Sequence, residues 1–232
     1  MNKKSLTCFG AIALLVSVAQ AQVITYVDAV SGGSGNTFAT GGSLADTSWL
    51  VNNNNSNLVN DAWDTRTFGT GATILQGNPN QAAAGTVPEL TTQLTGLADG
   101  VYDIWVFYAD NGAGGNPAPT SGQAWNIAAG FTSGALTNYN EAAGTETTAL
   151  TFSGSAPVAE PASEITLLGV NIGQANVVGG STIDIFVNNA PTGVNFDRTW
   201  YDGVGYSVVP EPSTFALLLI AGTGILALRR RK

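Results

Sequence analysis

Short apolar stretches separated by Gly, Asn, Asp and Pro recur from residue 22 to residue 209, and none holds a helical period over about 11 residues. The pattern predicts an all-β body. Its clearest element is Val101 to Ala109, where Tyr102, Ile104, Val106 and Tyr108 alternate with Val101, Asp103, Trp105 and Phe107. Both faces are largely apolar, as in a strand at the centre of a sheet, and Trp105 is expected in the core. Leu90 to Leu97 precedes it through Ala98-Asp99-Gly100, where glycine can take the positive φ of a tight hairpin, so the two stretches are expected to pair antiparallel. Further strands are expected at Val23 to Val30, Thr73 to Leu75, Ala124 to Ala129, Ala149 to Phe152, Ile165 to Val170, Thr182 to Val187 and Trp200 to Val209.

Short strands with turn-rich links predict a two-sheet β-sandwich, its sheets roughly 10 Å apart. A parallel β-helix is the alternative, but no short fixed-period repeat supports it. The runs Asn52 to Asn55, Gly112 to Gly122 and Gly154 to Pro161 read as surface loops, so residues 22–209 are expected to form a single domain.

Two segments break the pattern. At the start, Lys3 and Lys4 precede an uncharged stretch from Leu6 to Val18 and then Ala19-Gln20-Ala21, the three zones of a secretory signal peptide over residues 1–21 with cleavage after Ala21. At the end, Phe215 to Leu228 is a 14-residue apolar run interrupted by Gly222, Thr223 and Gly224 and closed by Arg229, Arg230, Arg231 and Lys232. As a helix it spans about 21 Å at about 1.5 Å per residue. The hydrocarbon core is roughly 30 Å thick, so this short transmembrane helix suits a transient anchor better than a permanent one. Basic clusters stay on the cytoplasmic side, which puts everything before Pro210 outside. Pro210 and Pro212 fix two backbone angles and remove two N–H donors, leaving Glu211 exposed between them on an extended segment.

Pro210-Glu211-Pro212, a short apolar helix at 215–228 and the basic end at 229–232 together resemble the PEP-CTERM sorting signal. The resemblance covers Val209 to Lys232. It implies processing by a membrane enzyme called exosortase, a Gram-negative producer with an exopolysaccharide matrix, and delivery of the body to the cell surface or that matrix. A sortase signal would need Leu-Pro-x-Thr-Gly, which is absent.

Six of the eight cations belong to the two ends, so residues 22–209 hold Arg66 and Arg198 against fifteen acids, a net charge of −13. Such a surface repels phosphate backbones, and nucleic acid is excluded as a partner. The sole cysteine, Cys8, lies in the segment expected to be removed, which leaves packing to stabilise the body.

A second resemblance rests on Leu94 to Asp110, Trp125-Asn126-Ile127 and Asp197 to Tyr206, which are similar to a jelly roll of the galactose-binding or carbohydrate-binding-module type. In such folds the first and last strands lie close, which implies that Val23 to Val30 neighbours Trp200 to Val209.

Absent residues narrow the chemistry. There is no His in the chain and no Cys or Lys in the body, so Ser-His-Asp and Cys-His catalysis, His or Cys zinc sites and Schiff-base chemistry are excluded. No Gly-Lys-Ser/Thr ends a glycine run, so no phosphate loop exists. Carboxylate chemistry survives: Asp61 with Asp64, Asp197 with Asp202, and Asp103 are the acids a glycoside-active enzyme could use. Turn, edge and ion-pair roles account for them more simply, and no catalytic residue is assigned. Loops such as Asp110-Asn111-Gly112 carry the hard oxygen donors of a structural calcium, although EF-hand spacing is not met; no other cofactor is expected.

Flat tryptophan faces could stack on sugar rings, and Trp49, Trp63, Trp125 and Trp200 are the candidate ligand-binding residues, Trp49 and Trp63 foremost because they flank the Asn-rich loop. The expectation is an exported, non-enzymatic surface or matrix protein whose body associates with polysaccharide. The alternatives are a purely structural or adhesive matrix protein without a small ligand and, last, a glycoside-active enzyme. Its partners are the processing enzyme, polysaccharide, and the membrane during sorting.

Overall fold

The structure is a computed structural model that describes residues 22–51, 63–68, 72–77, 87–110, 127–139, 150–154, 166–189 and 199–210. The expected signal peptide, the loops at 52–55 and 112–122, Trp125, Arg198 and the segment 211–232 lie outside these residues. The described residues form strands β1 (Val23–Asp28), β2 (Thr37–Ala39), β3 (Leu50–Val51), β4 (Trp63–Phe68), β5 (Ala72–Gly77), β6 (Leu90–Leu94), β7 (Gly100–Asp110), β8 (Ile127–Gly130), β9 (Thr137–Tyr139), β10 (Thr151–Phe152), β11 (Thr166–Val177), β12 (Ile183–Asn189) and β13 (Thr199–Val208), with no helix among them. The fold is an all-β, two-sheet sandwich, as the alternation of apolar and polar residues predicts.

One sheet has five strands in the order β2-β6-β12-β8-β9, all antiparallel. The other has eight and is branched around β13. One edge of β13 pairs with β7 from Tyr201 to Val208, and β7 pairs onward with β11. The opposite edge is shared end to end: β5 takes Thr199 to Tyr201, and β1 takes Gly203 to Tyr206. From β5 the sheet continues to β4 and β3, and from β1 to β10. The first and last strands are therefore hydrogen-bonded neighbours, and β7 is a central strand.

The core lies where the two sheets face each other. Tyr102, Ile104, Val106 and Tyr108 of β7, with Leu168 and Val170 of β11, meet Leu90, Ile183, Ile185, Val187 and Ile127 of the smaller sheet. Full burial of such a side chain stabilises by about 1.5–3 kcal/mol. The period-2 alternation of β12, buried at Ile183, Ile185, Val187 and Asn189, shows directly how sequence pattern chooses the buried face.

Three expectations are corrected. Leu90 to Leu97 and Val101 to Ala109 do not form a hairpin: β6 belongs to the five-stranded sheet and β7 to the eight-stranded one. The segment 95–99 crosses between the sheets, with Gly96 at φ 73° and Leu97 packed on the core, and the Tyr102 hydroxyl donates to the Ala98 carbonyl at 2.8 Å. The strand expected at Ile165 to Val170 runs on to Val177, through a register shift between Asn171 and Gly173 that the polar sequence there conceals. Trp105 sits on the outer face of β7, half-buried, opposite Gly205 and Asn171.

A polar chain threads the core. Thr37 donates to Asn36 Oδ1 at 2.9 Å, and its oxygen lies 2.9 Å from Thr92 Oγ1, which is 2.7 Å from the Tyr201 hydroxyl. Each hydroxyl has one proton, so the direction is fixed: Tyr201 donates to Thr92, Thr92 to Thr37, and Thr37 to Asn36. Burial pushes the Tyr201 phenol far above its ordinary value and keeps it a donor. Tyr201→Phe is expected to cost about 1–3 kcal/mol by leaving the buried Thr92 oxygen without its donor. At roughly 2–4 °C per kcal/mol for a domain of this size, thermal denaturation reads the loss directly, and an unshifted melt would refute the relay.

Candidate functional site

Three of the four tryptophans expected to form a sugar platform are placed inside. Trp49, Trp63 and Trp200 are 5 %, 0 % and 2 % exposed. Their indole N–H groups donate within the protein, to the Asp46 carbonyl at 2.7 Å, the Pro88 carbonyl at 2.8 Å and Gln76 Oε1 at 3.0 Å. Trp63 fits because its cross-strand partner is Gly77, where a Cβ would lie only 3.1 Å from the indole ring. Flanking an Asn-rich loop is thus no sign of exposure, and a ring that buries its face while its N–H reaches a partner is stable in a core. Trp125 lies outside the described residues.

The acids are dispersed as well. Asp64 is buried on β4 and Asp202 on β13, while their sequence neighbours Asp61 and Asp197 lie outside the described residues. Asp103 stands on the outer face of β7, where the side-chain amides of Gln22 and Gln174 donate to its two oxygens, the latter at 3.0 Å. Among the described residues no group of three or more His, Cys, Asp or Glu side chains is placed to hold a metal ion.

The structure instead brings together Asp28 and Asp202, at the branch where β1 and β5 meet β13. A register shift between Tyr201 and Gly203 inserts Asp202 into the strand. The Tyr26 hydroxyl donates to Asp202 Oδ2 at 2.8 Å, with Asp28 Oδ1 at 3.1 Å as its second acceptor. Burial, followed by the charges of Asp202 and Asp28, drives the Tyr26 phenol far above its usual range, so it remains protonated. Burial also raises the Asp28 carboxyl above the ordinary carboxylate value, partly offset by hydrogen bonds from Tyr26 and the Ala29 N–H. Sequence could have found this cluster: Tyr26 and Asp28 share a strand face, and that strand is expected beside the one carrying Asp202.

The raised value has a pH consequence. A carboxyl whose folded pKa exceeds its unfolded one stabilises the fold when protonated, and this contribution is lost as pH rises through the raised value. Melting temperature should therefore decline across that window in the wild type and stay flatter in Asp28→Asn. Parallel curves for the two proteins would acquit Asp28.

The remaining feature is the way out of the fold. After β13 the Val209 N–H donates to the Val101 carbonyl at 2.9 Å, the last backbone bond to the sandwich among the described residues. Pro210 then lines an open groove of about 600 Å³ with Gln22, Val23, Thr25, Asp103, Ser153, Tyr206, Ser207 and Val208. The Gln22 amide donates to Ser207 Oγ at 2.6 Å, so the beginning and the end of the body meet in this groove. Beyond Pro210 the sequence continues as Glu211-Pro212, the apolar run and four cations. Residues 208–232 match the PEP-CTERM protein-sorting motif.

The PEP-CTERM motif marks the chain as an exported, surface-sorted protein and implies processing by exosortase-type machinery. Its first residues are also structural, because Val208 is the last residue of β13 and Val209 is bonded to β7. No spacer separates fold and motif. Among the described residues no helix is long and apolar enough to cross a membrane, and 215–228 lies outside them. None of the curated proteins matches the chain. Among solved structures, a GH26-CBM35 β-(1,4)-mannanase from Podospora anserina is similar at 12 % identity and a TM-score of 0.37, over 83 % of this chain and 29 % of that one.

Proposed function

We propose that the protein is a non-enzymatic structural component of the cell surface or extracellular matrix, delivered by its two terminal signals. Residues 1–21 direct export and are removed after Ala21. The helix at 215–228 holds the chain transiently in the inner membrane with Arg229 to Lys232 on the cytoplasmic side. An exosortase-type enzyme then acts at the PEP-CTERM motif and passes the acidic sandwich of a Gram-negative producer to its surface or exopolysaccharide matrix.

The observation that carries the structural reading of the body is the burial of Trp49, Trp63 and Trp200, whose faces and N–H groups are used within the protein. Rings committed in this way supply packing energy and offer no stacking surface. A glycan-retention assay on the mature protein, with and without chelator, tests the reading. No retention on any polysaccharide, the producer's own included, is the expected result, and chelator is expected to leave the melting temperature unchanged.

A polysaccharide-binding body is the second reading, favoured by the groove at the chain exit, where Thr25, Asp103, Ser153 and Ser207 present hydroxyl and carboxylate groups suited to sugar hydroxyls. Retention that Asp103→Ala abolishes would select this reading over the first.

A further inference from the structure

The fold places four segments at one pole: residues 22–23 where the body begins, the β6–β7 crossover, the turn between β11 and β12, and the exit at 208–210. The pairings Val208 with Tyr102, Val177 with Gly100 and Ile183 with Leu94 fix this arrangement. The Gly180 N–H donates to Asp99 Oδ1 at 3.2 Å and ties the turn to the crossover. Five large apolar side chains are exposed among the described residues, and four of them are here: Val178 at 67 %, Val208 at 63 %, Val23 at 48 % and Val101 at 38 %. Scattered single valines on a surface mean little, but a concentration at the point where an anchored chain leaves its fold does.

Chain length decides what this pole must face. From Pro210 to Phe215, where the apolar run starts, is five residue steps, which reach at most about 18 Å when fully extended. A headgroup layer of roughly 5–8 Å lies between the hydrocarbon and water, so even a taut tether leaves the pole only about 10 Å from the bilayer surface. A span of about 21 Å in a core of roughly 30 Å draws its flanks inward and shortens that distance. A surface held so close experiences the bilayer at a very high effective concentration, so weak apolar contacts suffice to hold it.

We propose that this pole, with Val23, Val101, Val178 and Val208 at its surface, seats on the lipid surface while the C-terminal helix anchors the chain. The inference rests on the transient anchoring set out under the proposed function. The acids nearest the pole are internally engaged, Asp99 by Gly180, Asp103 by Gln22 and Gln174, and Asp184 by Gln93 at 2.9 Å. The body carries a net charge of −13, so the seat suits a zwitterionic surface and weakens on an anionic one. The seat also presents Pro210 at the depth where a membrane enzyme works.

The body has no cysteine, which makes the test simple. In the anchored chain carrying Cys8→Ala, single substitutions Val178→Cys, Val208→Cys, Ser43→Cys and Ala221→Cys are labelled with an environment-sensitive dye and reconstituted in phosphatidylcholine vesicles containing doxyl-labelled lipid. Ser43 lies in the exposed turn after β2, next to Thr40, which bonds to Glu89 at the opposite pole. Labels at 178 and 208 are expected to be quenched at least about twofold more than the label at 43, with label 221 quenched most. Added phosphatidylglycerol is expected to reduce quenching at 178 and 208 while leaving 221 unchanged. Quenching at 221 with 178 and 208 no different from 43 would overturn the seat and spare the anchor. Loss of quenching at 221 itself would overturn the anchor and the seat together.

Discussion

A chain that stops at Val204 is expected not to fold, whereas one that stops at Pro210 should melt as the full body does. The difference is six residues. Gly205 to Val208 form the second half of β13, paired on one edge with Trp105 to Tyr102 and, at Gly205 and Tyr206, with Tyr26 and Thr25 on the other. Removing them strips β7 and β1 of a shared partner in the middle of the larger sheet and exposes the backbone donors and acceptors that the pairing satisfies. It also takes away Tyr206, whose ring stands edge-to-face with Tyr102 at 5.7 Å over the buried pole of the core. Against a total stability of about 5–15 kcal/mol, loss of half a central strand leaves nothing to spare. Every strand of the described body ends before Pro210, so removal of the residues from 211 onward is expected to leave the melt in place. The processing site is bounded by the same reasoning: cleavage that leaves a folded product falls after Val209. Circular dichroism melts of the two truncations, with intact mass of the surface-released protein, check both halves. A cooperative wild-type melt from the chain ending at Val204 would sink the argument.

Much of the fold is legible in the sequence, for reasons that differ by element. β7 is readable because Val101 to Ala109 is apolar on both faces, which only a central strand requires. The neighbourhood of β1 and β13 comes from the jelly-roll resemblance, and the sorting motif from a tail whose three parts carry their own physics. β4 goes unread because Asp64, Thr65, Arg66 and Thr67 interrupt its apolar pattern, and its burial comes from a partner that sequence does not reveal. The hairpin at Gly100 fails for a related reason. A glycine that permits a turn does not say whether the chain returns in the same sheet or crosses to the facing one, and that choice is made by which edges are already paired. The candidate site is least legible of all. Tryptophans beside a polar loop suggest a platform, yet Gly77 opposite Trp63 and Gln76 below Trp200 give those rings a place inside.

Three glycines on the outer face of the larger sheet lead to a further large effect, expected on substituting Gly203 or Phe107. A Cβ on Gly203 would lie 2.5 Å from the Val27 carbonyl oxygen; one on Gly205, 2.7 Å from Ile24 Cγ2 and 2.8 Å from Phe107 Cε2; one on Gly169, 2.9 Å from Leu150 Cδ1 and 3.0 Å from Phe107 Cε1. The three positions form a trough in which Phe107 lies fully buried, edge-to-face with Tyr26 at 5.6 Å and with Phe152 at 5.5 Å. Deleting the ring, Phe107→Ala, is expected to cost about 3–5 kcal/mol. Gly205→Ala overpacks the same space at about 1–3 kcal/mol, since Ile24 and the ring edge can each give a little. Gly203→Ala should reach the upper end of that range, because its obstacle is a backbone carbonyl of β1 that cannot move without breaking the pairing with β13. The decisive measurement is the double variant Phe107→Ala with Gly205→Ala in urea melts. If ring and glycine fill one space, removing the ring makes room for the methyl group, and the pair should cost less than the sum of the singles by roughly 0.5–3 kcal/mol. Simple additivity would mean that Gly205 is required by the β1 contact alone and that the trough does not act as a unit.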